Sequence, residues 1–149
     1  WRLIGKAVLG DSTLEIPPHI GALLEPPLTT PEGLAAAFEW ADVFILPSYY
    51  EGLPLTILEA MRSGVIPMAT DAGAVTEVLR QWDNGIVLSQ SETIAEALTA
   101  LTRLAGDPGL VQRLSAQARA DMRGRDWDGA VEPLIERLEF MQAADKKKK

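Results

Sequence analysis

The sequence predicts an α/β fold in which a parallel sheet of short strands is flanked by helices. Short apolar runs of strand length alternate with longer helical segments along most of the chain. These runs lack the polar–apolar alternation of a sheet with one face in water, which indicates that both faces are covered. The chain has 149 residues, 47% of them hydrophobic and 23% charged, which is enough for one such domain with a substantial core.

The first part of the chain is predicted to hold two strands and one helix. Residues 2–5 (RLIG) and 19–25 (HIGALLE) have the apolar character of strands, and the Gly- and Pro-containing segment 6–18 is predicted as a loop or a short helix. Thr30 is suited to cap a helix, and Pro31 is suited to its first position. The apolar residues that follow at helical spacing are Leu34, Ala37, Phe38 and Ala41.

The middle of the chain is predicted to alternate between strand and helix. The predicted strands are 43–47 (VFILP), 65–70 (VIPMAT) and 85–88 (GIVL), and the predicted helices are 54–64 and 74–82. Gly64 is expected to end the first of these helices, because glycine readily adopts the left-handed conformation found at helix ends.

Two further helices follow the last predicted strand. Ser89 and Glu92 have the spacing of a capping box, which is expected to open the helix over 91–106. Asp107 followed by Pro108 has the form of an N-cap and first position for the next helix.

The two ends of the chain have distinct characters. The last predicted helix covers residues 127–145, and Pro133 either starts its regular part or kinks it. Residues 143–149, which include four lysines, are expected to form a disordered or artificially added tail. The chain begins inside an apolar run without an initiator Met, so we expect it to be a piece of a longer protein.

Composition excludes several classes of function. The formal net charge of −7 argues against a nucleic-acid partner, because phosphate backbones require a basic face. The absence of cysteine excludes disulfides and thiolate metal sites, and the single histidine, His19, leaves little room for a His-ligated metal or a Ser-His-Asp triad. No apolar run reaches the length of about 18 residues expected of a transmembrane segment. No signal peptide opens the chain, so we expect a cytoplasmic location.

The segment 47–64 (PSYYEGLPLTILEAMRSG) has the pattern of a binding site. In a parallel sheet, ligands bind at the carboxyl ends of strands, and residues 48–54 follow the strand 43–47 directly. Pro54 suits the first position of the next helix, so the N–H groups of Leu55 and Thr56 are predicted to be free to bind an anion such as phosphate. Gly52 lets the backbone come close to such a ligand.

Two glutamates flank this predicted anion site. Glu51 lies in the loop before the helix and Glu59 lies on the second helical turn. Carboxylates accept hydrogen bonds and suit vicinal hydroxyls, so a phosphate between two hydroxyl-rich groups would have the shape of a nucleotide-sugar. A glutamate on a second helical turn is most often simply solvated. The apolar neighbours of Glu59 nevertheless predict that it is little exposed and therefore has a partner.

The longer segment 41–78 (ADVFILPSYYEGLPLTILEAMRSGVIPMATDAGAVTEV) carries a family likeness. Glu51 and Glu59 match an E-x7-E motif, "TDAGAVTEV" looks like an Asp-x-Gly-Gly-x-x-Glu turn, "NGIVL" matches an Asn-Gly strand, and 125–140 looks like a Trp-containing last helix. In these features the chain closely resembles the C-terminal, donor-binding domain of retaining GT-B glycosyltransferases, glycosyltransferase family 4 (glycosyl transferases group 1).

The resemblance implies a Rossmann-like donor domain over residues 1–142 and assigns a role to each matched residue. Glu51 would have the catalytic role at the donor sugar, and Glu59 would bind the ribose of the nucleotide. The residues implied to contact donor sugar or diphosphate are Ser48, Gly52, Leu53, Leu55 and Thr56. Transfer would retain the anomeric configuration, and neither a metal nor a cofactor would be needed beyond the nucleotide-sugar substrate.

The chain departs from the family pattern at three points. Pro54 stands where many members have Gly, which removes one potential N–H donor, and Ala74 replaces the second Gly of the Gly-Gly turn. The domain's first strand, with the cations that hold the diphosphate, is expected to be absent. The N-terminal domain that binds a sugar, lipid-linked or other acceptor is also expected to be absent, so the piece alone is expected to be inactive. The parent enzyme would be cytoplasmic or peripheral at the inner face of a membrane.

Two other functions are compatible with the same fold. One is a nucleotide-sugar binding module without transfer activity, and the other is a different GT-B chemistry such as epimerisation or phosphorolysis, which usually needs further acid–base residues. Tyr49 and Tyr50 either line the sugar pocket or cover the loop, and Asp71 is expected to be a helix cap or a ligand contact. His19 is expected to have a surface or packing role. The residues expected to serve in packing are Trp40, Trp82 and Trp127.

Overall fold

A computed structural model describes residues 1–5 and 17–146. The chain divides into two compact units, Trp1–Ala41 and Asp42–Lys149. The part of the predicted loop or short helix that covers residues 6–16 lies outside the described residues, as do the last three lysines. No helix within the described ranges is both long enough and apolar enough to cross a membrane.

The first unit contains a two-stranded parallel sheet and two helices. Its elements are β1 (Leu3–Ile4), α1 (Pro18–Gly21), β2 (Leu24–Glu25) and α2 (Pro31–Trp40). Leu3 lies opposite Leu24 in the sheet, and the guanidinium of Arg2 binds both carboxylate oxygens of Glu25, at 2.8 and 2.5 Å. Thr30 caps α2 as predicted, because its hydroxyl oxygen accepts the Gly33 N–H at 3.1 Å.

The strand predicted over residues 19–25 is correct only at its end. Residues 18–21 form α1, and the strand is confined to Leu24–Glu25. Two consecutive prolines precede this segment, and Pro18 takes the first helical position, where its fixed φ angle and missing N–H favour a helical turn.

The second unit contains a three-stranded parallel sheet with helices on both faces. Its elements are β3 (Val43–Leu46), α3 (Leu55–Ser63), β4 (Ile66–Thr70), α4 (Val75–Val78), β5 (Ile86–Leu88), α5 (Thr93–Gly106), α6 (Pro108–Asp121) and α7 (Trp127–Lys146). The strand order is β3-β4-β5, with Val43 opposite Ile66 and Met68 opposite Ile86. Every residue of the central strand β4 is buried.

The side chains of β4 divide the core of this unit into two clusters. Ala69 packs with Ile57 and Met61 of α3, and Ile66 and Met68 pack with residues of α5 and α6. This two-sided burial confirms the predicted α/β class, and it explains why the strands carry continuous apolar runs.

The ends of α3 are well defined. Gly64 ends the helix with a φ angle of 78°, as predicted. Side chains of α6 bind the last carbonyl groups, with the Ser115 hydroxyl 2.6 Å from the Gly64 oxygen and the Arg119 guanidinium 2.7 Å from the Ser63 oxygen. At the other end, Pro54 is the N-cap rather than the first helical residue, so α3 begins one residue later than predicted.

The helix predicted over residues 74–82 is shorter in the structure. α4 ends at Val78, and the Arg80 N–H binds the side-chain oxygen of Asn84 at 2.7 Å instead of a helical carbonyl. Trp82 then adopts a φ angle of 59°, which turns the chain back toward β5. A polar side chain six residues beyond the helix therefore ends it, and helical spacing alone does not show such a contact.

The predicted capping box at α5 is wrong, whereas the predicted cap of α6 is confirmed. Glu92 is the N-cap residue of α5 and its side chain makes no capping hydrogen bond. The Ser89 N–H instead donates to the carboxylate of Glu96 at 2.7 Å, one turn further along than the pattern requires. Asp107 caps α6 by accepting the Leu110 N–H at 2.9 Å. α7 continues through Pro133 to Lys146, so the helix extends into the segment predicted as a tail.

Candidate functional site

The carboxyl ends of the three strands of the second unit are joined by hydrogen bonds. The Thr70 hydroxyl donates to the carbonyl of Ser48, and the Asp71 N–H donates to the carbonyl of Leu88 at 2.8 Å. The side-chain amide of Gln90 donates to the carbonyl of Asp71 at 2.8 Å. The loop after β3 is therefore held at the edge where ligands bind in open parallel sheets, as the sequence predicts.

The N-terminus of α3 opens at this edge. Ile57 is the first residue whose N–H bonds back into the turn, to the Pro54 carbonyl at 3.0 Å. The N–H groups of Leu55 and Thr56 have no acceptor within the described part of the chain, and both residues are exposed. Two free donors at the positive end of a nine-residue helix form an anion-binding arrangement.

The surroundings of Glu59 differ from those predicted from the sequence. Glu51 is half-buried, whereas Glu59 is exposed, so the prediction of a buried and partnered Glu59 is wrong. Neither carboxylate makes a hydrogen bond or ion pair with any described residue. Glu59 is exposed because successive helical residues are rotated by about 100° around the helix axis. Ile57, Ala60 and Met61 face the core, so the side of α3 that carries Glu59 faces outward.

Glu59 lines a groove of about 520 Å³ between α3 and the turn that follows α6. Leu55, Leu58 and Met122 supply apolar walls. Leu55 thus connects the open helix end to the groove, and Glu51 does not line it. The structure places the two glutamates in different surroundings on either side of the helix start.

Two cations in this groove were missed by the sequence analysis. Arg62 and Arg125 line it together with Glu59, and neither side chain forms an ion pair with a described residue. Arg62 follows Glu59 by three positions and therefore shares its helix face, which the sequence could have indicated. Arg125 belongs to the turn after α6, more than sixty positions away in sequence, and only the fold brings it to the groove.

The remaining candidates around the strand ends are mostly exposed. Tyr49 and Tyr50 are 69% and 94% exposed, so they cover little of the loop. Asp71 is not a helix cap, because the N-cap of α4 is Ala74 and no side chain caps that helix. Asp71 instead lines a second groove of about 580 Å³ beside α5, together with Glu92 and other residues.

The aromatic and histidine predictions have mixed outcomes. His19 lies exposed in α1, which agrees with a surface role. Trp82 is half-buried, with the guanidinium of Arg103 4.1 Å from its ring centroid. Trp40 is 58% exposed, and the guanidinium of Arg2 lies 5.5 Å from its ring centroid. The prediction that Trp40 serves in packing is therefore only partly correct. The side chain of Trp127 lies outside what the structure describes.

A parallel sheet flanked by helices matches the C-terminal domains of GT-B glycosyltransferases. The sucrose-phosphate synthase of Thermosynechococcus elongatus matches with a TM-score of 0.70 at 23% identity, over 85% of this chain and 32% of that one. The C-terminal domain of a glycosyl transferase group 1 family protein (LpcC) from Francisella tularensis matches with a TM-score of 0.62 at 22% identity, over 68% of this chain and 52% of that one. Anabaena HepE, solved in complex with UDP-glucose, matches with a TM-score of 0.70 at 19% identity, over 80% of this chain and 34% of that one.

The chain belongs to the glycosyl transferases group 1 family, whose sequence profile matches residues 27–121. The D-inositol 3-phosphate glycosyltransferase of Nocardia farcinica is 33% identical over 110 residues, which is 74% of this chain and 24% of that protein. The enzyme of the same name from Salinispora arenicola is 32% identical over 126 residues, 85% of this chain and 26% of that protein. The chain thus spans about a quarter of the length of these relatives, and the predicted membership of the glycosyl transferases group 1 family is confirmed.

Proposed function

We propose that this chain is the donor-site part of a glycosyltransferase that moves a sugar from a nucleotide-diphosphate sugar to an acceptor with retention of configuration. The observation that carries the proposal is the open N-terminus of α3, with Glu51 just before it and Glu59 on its second turn. An anion site between two carboxylates that have no partner among the described residues matches a diphosphate between a sugar and a ribose. Membership of the glycosyl transferases group 1 family supports the same function.

Each part of the donor is assigned to a part of the site. The diphosphate binds the N–H groups of Leu55 and Thr56, which have no other acceptor among the described residues. Gly52 and Leu53, both exposed in the loop, offer backbone donors to the sugar and diphosphate. Ser48 contributes its hydroxyl, because its carbonyl already accepts the hydroxyl of Thr70.

The two glutamates bind the hydroxyl groups at either side of the diphosphate. Glu51 has the catalytic role at the donor sugar, where it accepts hydrogen bonds from sugar hydroxyls. Glu59 accepts the ribose hydroxyls from the wall of its groove, and its exposure leaves it open to a ligand. The apolar side chains of the same groove offer a surface for the nucleobase.

Electrostatics drive the departure of the nucleoside diphosphate in this proposal. Negative charge that develops on the leaving oxygen is stabilised by the helix N-terminus, whose donors are fixed before the reaction begins. This arrangement requires neither a metal ion nor a further cofactor. Arg62 and Arg125 add positive charge beside Glu59.

Transfer requires more than this chain in the proposed function. The relatives are about four times as long as the part matched here, and we propose that their further N-terminal domain binds the sugar, lipid-linked or other acceptor. The chain alone should therefore bind donor and give no measurable transfer. D-inositol 3-phosphate, which appears in the names of the relatives, is the first acceptor to test with the full-length parent, which we place in the cytoplasm or at the inner face of a membrane.

A binding module without transfer activity is the second candidate, because the contacts assigned to Gly52, Leu53 and Glu59 would serve binding alone equally well. An assay of the full-length parent separates the two candidates. Release of nucleoside diphosphate coupled to a glycosylated product supports transfer. Donor binding with no product over many hours supports the module.

The direct test is a titration of the isolated chain with UDP-, GDP-, ADP- and TDP-sugars, followed by the amide resonances of Leu55 and Thr56. One of the four should shift both resonances. Glu59→Gln should weaken that binding, whereas Glu136→Gln, which changes an exposed glutamate of α7, should not. If none of the four shifts either resonance, the proposal is wrong.

A further inference from the structure

The turn between β4 and α4 lies directly against the loop that carries Glu51. Gly73 in this turn has a φ angle of 58°, in the left-handed region. A methyl group added to its α-carbon would lie 1.9 Å from the carbonyl oxygen of Glu51 and 2.6 Å from that of Gly52. Real Cβ atoms essentially never come within 3.0 Å of such atoms, so a side chain at Gly73 would force one of the two backbones to move.

Hydrogen bonds hold the same two segments together. The Ala74 N–H donates to the carbonyl of Gly52 at 2.9 Å. The amide of Gln90 donates to the carbonyl of Asp71 at 2.8 Å and also reaches the carbonyl of Tyr49 at 3.4 Å. The backbone of the loop that carries Glu51 is therefore held by the turn between β4 and α4 on one side and by the side chain of Gln90 on the other.

The side chain of Glu51 has no such support. Its carboxylate makes no hydrogen bond or ion pair with any residue that the structure describes, so its position depends on the backbone that carries it. We propose that Gly73 is a positioning residue: by lacking a side chain it lets the turn reach the Glu51 backbone and so sets where the Glu51 carboxylate stands beside α3. The functional consequence rests on the proposed role of Glu51 at the donor sugar, whereas the backbone contact does not.

The first test measures the backbone without any ligand. Gly73→Ala combines a disfavoured φ angle with a steric clash. Gly124→Ala separates these effects, because Gly124 has a φ angle of 71° and no described atom lies within 4 Å of where its Cβ would stand. In the isolated chain, Gly73→Ala should shift the amide resonances of Glu51, Gly52 and Leu53, and Gly124→Ala should leave them unchanged. Unchanged resonances in a folded Gly73→Ala variant would overturn the proposal.

The second test compares ligand binding by the wild type and by Gly73→Ala. Gly73→Ala should displace the carboxylate that is proposed to accept hydrogen bonds from the sugar, so binding of the nucleotide-sugar should weaken on the order of tenfold or more. Binding of the bare nucleoside diphosphate should weaken less, because it lacks the sugar that Glu51 contacts and is affected only through the backbone of Gly52 and Leu53. A loss of the same size for both ligands would show a general structural role and contradict positioning.

If Gly73→Ala does not fold, a milder variant tests whether the turn sets the position of Glu51. Gln90 is exposed, so Gln90→Ala should fold while removing the hydrogen bonds to the Asp71 and Tyr49 carbonyls. It should shift the same three amide resonances, and it should weaken binding of the nucleotide-sugar more than binding of the nucleoside diphosphate. If neither property changes, the Gln90 bridge between the Asp71 carbonyl of the turn and the Tyr49 carbonyl of the loop does not set the position of Glu51, which contradicts positioning by this turn. If the wild-type chain binds no nucleotide-sugar, the proposed function fails, and the ligand-free resonances still decide the positioning role.

Discussion

The side-chain amide of Asn84 donates a hydrogen bond to the carboxylate of Asp121 at 2.7 Å, which joins the turn before β5 to the end of α6. Asn84 is fully buried and also donates to the carbonyl of Val78 at 2.9 Å. The same carboxylate oxygen of Asp121 accepts from Arg80 at 2.7 Å, and its other oxygen accepts from Gln117 at 2.9 Å. This network ends α4 and locates the turn on which β5 depends.

Stability should fall at acid pH through Asp121. Burial acts to raise the pKa of Asp121, but hydrogen bonds from Asn84, Arg80 and Gln117 outweigh it and hold the pKa below its usual value. Because the folded-state pKa is lowered, the stabilisation is present above the unfolded pKa of about 3.9 and is lost as the pH falls through the lower folded value. The difference in the free energy of unfolding between the wild type and Asp121→Asn should therefore be largest near neutral pH. It should shrink below about pH 4.

Urea unfolding at several pH values checks this expectation. Asp42→Asn serves as the control, because Asp42 is exposed and its side chain has no partner among the described residues. A difference between wild type and Asp121→Asn that stays constant from neutral pH to about pH 3 would contradict the linkage.

Removing the buried amide should destabilise the domain more than removing an exposed one. Asn84→Ala leaves the buried Val78 carbonyl without this partner, which costs about 1–3 kcal/mol. It also removes one partly buried hydrogen bond each from the Arg80 N–H and from the Asp121 carboxylate, which keeps its bonds from Arg80 and Gln117. We expect a total loss of about 2–4 kcal/mol in the free energy of unfolding. Asn84→Ala with a loss under about 0.5 kcal/mol, the usual limit for a surface change, would show that the network does not hold the turn.

The fold was predictable where local rules act alone. Thr30, Gly64 and Asp107 each satisfy a helix terminus with a neighbour in sequence, so their residue types were enough to place three helix ends. α4 was predicted too long because the contact that ends it comes from Asn84, a side chain from beyond the helix. Local propensity gives no sign of such a contact.

In the candidate site, too, the features predicted from the sequence are local, and the features that were missed depend on contacts between distant segments. The loop and helix that carry Glu51 and Glu59 are contiguous in sequence, and the strand-end rule was sufficient to place them. The contact of Gly73 with the Glu51 backbone and the approach of Arg125 to Glu59 both depend on separate segments meeting in the fold. The exposure of Glu59 depends on which side of α3 packs against the sheet, and the apolar neighbours of Glu59 led to the wrong prediction that it is little exposed.

The outer edge of β5 is protected by a side chain, and removing it should promote association. Val87 directs its N–H and carbonyl away from β4, and the amide of Gln81 binds both, at 2.8 and 3.0 Å. An edge strand with free backbone groups is a template for pairing with another chain. Gln81→Ala should lower the free energy of unfolding by about 1–2 kcal/mol and increase self-association.

Unfolding and light scattering measured together test the role of Gln81. Gln112→Ala is the matched control, because Gln112 is exposed on α6 and makes no hydrogen bond with the described part of the chain. If Gln81→Ala and Gln112→Ala scatter equally at the same concentration, Gln81 does not protect the edge.

Glu59 should contribute to nucleotide binding in the full-length parent. Hydrogen bonds to a charged group contribute about 1.5–3 kcal/mol, so Glu59→Ala should weaken nucleoside diphosphate binding by roughly ten- to a hundredfold. Isothermal titration calorimetry provides the measurement, with Glu136→Ala as the control on an exposed helix surface. A change under about twofold would show that Glu59 does not contact the ribose.

Glu51 should contribute to turnover more than to binding of the nucleotide, because its proposed partner is the sugar rather than the nucleoside diphosphate. The loop of Glu51 precedes α3, and Glu51 is absent from the groove that Glu59 lines, so a ligand without the sugar has little to gain from it. In the full-length parent, Glu51→Ala should lower kcat by about a hundredfold or more, as for other groups that stabilise a transition state directly. The dissociation constant of the bare nucleoside diphosphate should change by less than about threefold. Steady-state kinetics and calorimetry on the same preparation compare the two, and equal losses in turnover and nucleotide binding would contradict this division of roles between Glu51 and Glu59.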